Sequence, residues 1–163
     1  MTALARARYR ARQFFGALRP RIDPSLQDEA LAPLSDGERA LFTSMTPRDQ
    51  QHCLDVYERL RNDGQDDRDL LTAALLHDAG KGRIVLWHRV AYVVTPHRVL
   101  DRIARPGDGP GWRQTFYRCL HHEALGAELA RRAGSNEQVI SLIRGDGAHD
   151  PRVVALHAAD DMA

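Results

Sequence analysis

Ala73-Ala74-Leu75-Leu76-His77-Asp78-Ala79-Gly80-Lys81-Gly82 is an apolar run that delivers an imidazole and a carboxylate side by side, then stops at glycine and lysine. A His-Asp pair on an apolar surface is costly unless something satisfies it. Where further ligands converge, the commonest satisfying partner is a divalent ion. Leu70, Ala74 and His77 share one helical stripe, and Leu71, Leu75 and Asp78 share the adjacent one. Both polar side chains therefore lie on the apolar side of one helix and can clasp one ion near its C-terminus. That helix end carries partial negative charge, which also favours a cation. Gly80 suits the C-cap.

Working outward, the pattern predicts helices throughout. Asp66 or Asp67 caps the His-Asp helix. Upstream, Thr46-Pro47 opens a helix running to about Arg61, with Cys53, Val56, Tyr57 and Leu60 on its apolar face and His52 flanking it. Ser35 with Glu38 has capping-box spacing before a short helix ending near Met45. Downstream, Ile84 to Leu100 is apolar and interrupted by Pro96; Trp87 and Tyr92 read as core, and His88 and His97 have no partner at ligand spacing. Residues 105–112 are a Gly- and Pro-rich connector. Helical pattern resumes from Trp112 to about Ala133, then from a second capping box at Ser135 and Gln138 to Arg144. Asp150-Pro151 opens a last helix whose stripe contains Val153, Leu156, His157 and Asp160. An acid on such a stripe again requires a partner. No strand-period alternation appears, so the expected class is all-α.

Residues 3–18 form a further amphipathic stripe of Leu4, Ala7, Ala11, Phe14, Phe15 and Leu18 opposite several arginines. It reads as a helix packed on the domain with a solvated basic face. Pro20, Pro24 and Pro33 make residues 19–34 a linker or a wrapping segment. The expected organisation is therefore an N-terminal basic helix and linker at 1–34 and a metal-binding domain at 35–163. A formal net charge of +1 gives no global drive toward nucleic acid or membrane. No run approaches the roughly 18 apolar residues of a membrane span, and the N-terminus lacks the apolar core of a secretory signal. Cytoplasm is the expected location. Two cysteines, Cys53 and Cys119, make no disulfide framework. Lys81 is the only lysine among 23 basic residues, and it sits in the His-Asp stretch. That placement hints that an ammonium is wanted there.

His52, His77, Asp78, His122 and Asp160 thus collect on or beside buried faces of four helices. Imidazole with carboxylate suits Mn, Fe, Mg, Co or Zn, and the lack of paired cysteines argues against structural zinc. The order of these residues resembles the HD-domain metal-dependent phosphohydrolase superfamily, whose pattern is His…His-Asp…Asp. Leu75-Leu76-His77-Asp78-Ala79-Gly80-Lys81 looks like that family's "LLHDxGK", His122 through Gly126-Ala127 like its "HxxxGA" helix, and Ala159-Asp160-Asp161 like its closing "ADD". The resemblance spans roughly residues 46–161. A second His-Asp, His149-Asp150, reads instead as a loop histidine and a helix cap.

The resemblance implies an HD-like helical bundle that binds a metal through His52, His77, Asp78 and Asp160. It implies hydrolysis of a nucleotide or another small phosphate ester by a metal-activated water. Asp78, Lys81 and His122 are then the expected catalytic groups. Arg48, Lys81, Arg118, His121 and Arg144 are the expected substrate-binding groups. Two-metal members carry a further histidine where this chain has Asp146, with His149 three residues on. One ion is therefore expected, and a second would need His122 with Asp146 or His149. Phosphomonoesterase and phosphodiesterase are not distinguished. The alternative class is a catalytically weak HD domain that binds a nucleotide or partner as a regulatory module. A two-iron oxygenase would need six ligands, and Asp146 in place of histidine counts against it.

Overall fold

The computed structural model describes residues 22–82, 95, 98–100, 104 and 111–163. The expected helix at 3–18, the segment with Trp87, His88 and Tyr92, and most of the 105–112 connector lie outside these residues, as does His97. Among the described residues all regular structure is helical. The elements are α1 (Pro24–Leu31), α2 (Asp36–Ser44), α3 (Pro47–Asn62), α4 (Arg68–Leu76), a 3-10 helix (His77–Lys81), α5 (Gly111–Leu120), α6 (His122–Arg132), α7 (Glu137–Arg144) and α8 (Pro151–Asp160). No helix among the described residues is long and apolar enough to cross a membrane.

The helix starts follow from their caps. Ser35 and Glu38 form the expected capping box, Thr46 accepts from the Asp49 amide ahead of Pro47, and Asp67 accepts from Leu70. Asp150 caps α8, so the second His-Asp dipeptide is indeed a loop histidine and a cap. The expected capping box at Ser135 is not formed. Asn136 caps α7 instead, its carbonyl oxygen taking the Gln138 and Val139 amides. The Ser135 hydroxyl is drawn away to the buried Glu38 carboxylate, 2.8 Å off on α2.

At the centre stands α4, buried from Leu70 and from Thr72 through Leu76. A helix apolar on nearly every side has to be surrounded. It packs on α3, on α7 and on α8. Leu54, Leu60, Leu75, Ile140 and Leu156 belong to the one apolar cluster this creates. The Pro-containing stretch wraps this bundle, with Ala30, Leu31 and Leu34 in the same cluster. A smaller cluster of Leu100, Ala104 and Phe116 lies under α5.

The His-Asp pair does not sit on the α-helix itself. Helix α4 ends at Leu76, and His77 through Lys81 tighten into the 3-10 helix. Nor is Gly80 the C-cap, since the 3-10 helix runs on to Lys81 and Gly82, with a positive φ of 64°, follows it. Gly80 serves close approach. A Cβ there would lie 2.0 Å from the His122 carbonyl oxygen and 2.6 Å from the Gly126 amide nitrogen. Only a residue without a side chain lets α6 cross the turn at this separation.

Candidate metal centre

Three elements aim the polar groups at one point. His52 comes from α3, His77 and Asp78 from the 3-10 helix, and Asp160 from the last residue of α8. His52, His77 and Asp78 each place a ligand atom within 4.8 Å of the other two. Asp160 Oδ1 is 2.7 Å from His52 Nε2 and 3.5 Å from His77 Nε2. The two imidazole rings meet edge to face at 5.4 Å between centroids.

The tautomer of His77 is set from behind. Its Nδ1–H donates to the Ala74 carbonyl at 2.8 Å, so in the neutral ring Nε2 carries a lone pair. That lone pair faces Asp78 Oδ1 at 3.4 Å and Asp160 Oδ1 at 3.5 Å. His77 Nε2 and Asp78 Oδ1 are both buried, and His77 Nε2 is without a hydrogen-bond partner. Electron-rich atoms converging at a largely buried point need a positive charge between them, either a proton or a cation.

Proton affinities show the same demand. Burial pulls His77 down, but the Asp160 and Asp78 carboxylates beside its Nε2 hold it well above the ordinary histidine range. The Cys53 thiol is itself pushed up by burial and stays neutral at physiological pH. The two carboxylates therefore supply the charge that favours a proton on His77. The hydrogen bond from His52 and the His77 ring beside it hold Asp160 far below the ordinary carboxylate range. Asp78 is also lowered: burial opposes its charge, but His77, Lys81 and His52 outweigh burial.

Lys81 stands 2.6 Å from each Asp78 oxygen and donates to Oδ2. It thereby pins the carboxylate beside the two histidines, with the ammonium close to both oxygens. On the other side, His122 donates from Nδ1 to the Cys119 carbonyl at 3.0 Å. Burial and the Lys81 charge lower its pKa, so it is a neutral ring whose Nε2 can accept a proton or ligate.

The remaining expected residues divide. Arg48 is half-buried on α3, one turn before His52. His121 is exposed, its ring 4.3 Å from that of Tyr117. Arg144 pairs with Asp146 at 3.1 Å on the surface, and His149 is exposed. Neither Asp146, His149 nor His122 joins a ligand cluster among the described residues. Cys53, expected only as an apolar-face residue, also borders the site, its Sγ 3.8 Å from His77 Nδ1. Its position next to His52 in the chain was the available signal.

No family model, curated protein or solved structure matches the chain. The site is therefore judged on its donors. Two imidazole nitrogens and a carboxylate oxygen, with a second carboxylate against both rings, fit a divalent cation. His77 Nε2, buried without a hydrogen-bond partner, is an atom such an ion satisfies.

Proposed function

We propose that the protein is a metal-dependent phosphohydrolase of the HD type, acting on a nucleotide or another small phosphate ester. One observation carries the reading. His77 Nε2 is buried without a hydrogen-bond partner and lies 3.4 Å from the buried Asp78 Oδ1, with His52 and Asp160 in reach. His52, His77, Asp78 and Asp160 would hold the ion. When bound, a divalent ion makes a water acidic enough to attack at neutral pH and polarises a phosphoryl oxygen.

The chain's own residues supply the rest. Ala74 orients the His77 ring, and Lys81 orients Asp78 and keeps it ionised. The neutral Nε2 of His122 stands ready to take a proton or to ligate near the same turn. Asp160 keeps His52 aimed at the site.

The test pairs metal content with turnover. Purified protein is assayed for bound metal and screened against nucleoside monophosphates and other phosphoesters with Mn, Mg, Co or Zn. Both His77→Ala and Asp78→Ala are expected to lose metal and turnover together. Unchanged metal content in both variants refutes the site. Bound metal with no phosphoester turned over refutes the hydrolase and favours a nucleotide-binding module.

A further inference from the structure

Helix α5 brings one more cation to the turn that carries Lys81. The Arg118 guanidinium lies against Gly82, where a Cβ would meet its Nη1 at 2.2 Å and its Cζ at 3.4 Å. Gly82 is also at φ 64°, a conformation that favours glycine, whereas the guanidinium is the end of a flexible side chain. The Gly80-Lys81-Gly82 turn is thus flanked on one side by the His122 backbone and on the other by Arg118.

Arg118 is exposed and makes no ion pair or hydrogen bond to a described residue. Several surface arginines differ in this respect: Arg59, Arg131, Arg132, Arg144 and Arg152 each face a carboxylate within 3.2 Å. Lys81 is engaged as well, both Asp78 oxygens lying 2.6 Å from its Nζ. Among the described residues, the cation left open beside the turn is therefore the Arg118 guanidinium. Its planar fork matches two oxygens of one phosphate.

We infer that Arg118 is the residue that binds the substrate's terminal phosphate and selects a phosphomonoester over a diester. The inference rests on the phosphohydrolase reading. Charge balance supports it. A divalent ion with Asp78 and Asp160 is neutral, Lys81 adds one positive charge and Arg118 adds a second. A phosphomonoester carries about −1.5 to −2 near neutral pH and balances that sum. A diester carries a single negative charge and has fewer free oxygens for the fork.

The experiment titrates Mn first, then inorganic phosphate and dimethyl phosphate, into the full chain and into Arg118→Gln, Arg118→Lys and Gly82→Ala. Mn affinity is expected to be the same in wild type and both Arg118 variants. Phosphate affinity is expected to fall about 10–100-fold in Arg118→Gln, the range for a charge-assisted hydrogen-bonding partner. Arg118→Lys should recover only part of this, and dimethyl phosphate should respond little to any variant. In Gly82→Ala the guanidinium is pushed aside but kept, so phosphate affinity should fall less than in Arg118→Gln. Equal phosphate affinity in wild type and Arg118→Gln overturns the inference, as does the lack of phosphate binding by Mn-loaded wild type. Failure of wild type to take up Mn overturns the metal-dependent reading instead. The phosphate difference between wild type and Arg118→Gln, measured without metal, then still decides the role of Arg118.

Discussion

Gly80→Ala perturbs the joint on which the site is hung. The new Cβ would lie 2.0 Å from the His122 carbonyl oxygen and 2.6 Å from the Gly126 nitrogen. Ordinary contact begins near 3.4 Å, so the 3-10 helix and α6 must separate by at least about 1.4 Å. Both obstacles are backbone, which no rotamer change can move aside. Overpacking costs about 1–3 kcal/mol where side chains yield, and this case falls at the upper end. For a chain of 163 residues, about 3 kcal/mol lowers Tm by about 6–12 °C. Gly126→Ala is the graded comparison: its Cβ would meet the His77 carbonyl oxygen at 3.2 Å, and a few tenths of an ångström suffice. Gly64→Ala controls for backbone conformation alone, with φ 81° and nothing within 4 Å, at about 1–2 kcal/mol. Thermal unfolding of the metal-free proteins by circular dichroism gives the ranking, and Mn titration shows whether the separation reaches the ligands. A Gly80→Ala protein that melts no lower than Gly64→Ala and binds Mn like wild type would refute the argument.

Two further outcomes follow from the buried polar groups. Ser135→Ala removes the 2.8 Å hydrogen bond to buried Glu38 and should cost about 1–3 kcal/mol, read as a lower denaturant midpoint at constant slope. Stability of the metal-free protein should fall at both ends of the pH range. Asp160 is lowered in the fold, so its contribution is present above its unfolded value and is lost as pH falls toward the folded one; Asp160→Asn should flatten that acid limb. His77 is raised, so its contribution is complete below its unfolded value and is lost as pH climbs through the folded one. Denaturant titrations from pH 3 to 9 check both limbs, and a pH-independent midpoint would contradict them.

The caps show how far local chemistry carries. Ser35, Thr46, Asp67 and Asp150 begin helices where their side chains and spacing say they should. Ser135 does not, because a buried carboxylate from α2, distant in the chain, competes for its hydroxyl. The same contrast holds at the site. The stripes placed His77, Asp78 and Asp160 on inward faces, and they converge. Arg144, chosen by proximity in sequence, pairs with Asp146 on the surface.

What the sequence determined by itself was the helical class, the main helix starts and the inward-facing imidazoles and carboxylates. Each depends on periodicity or on groups within four residues of one another. Tertiary structure alone decided that the His-Asp pair sits on a tightened 3-10 turn and that Gly80 is a crossing point. It also decided that Lys81 is held by Asp78 while the Arg118 guanidinium lies against Gly82. Those outcomes depend on which backbone passes within van der Waals contact of which, and α5 and α6 are too far along the chain for any local pattern to carry that distance.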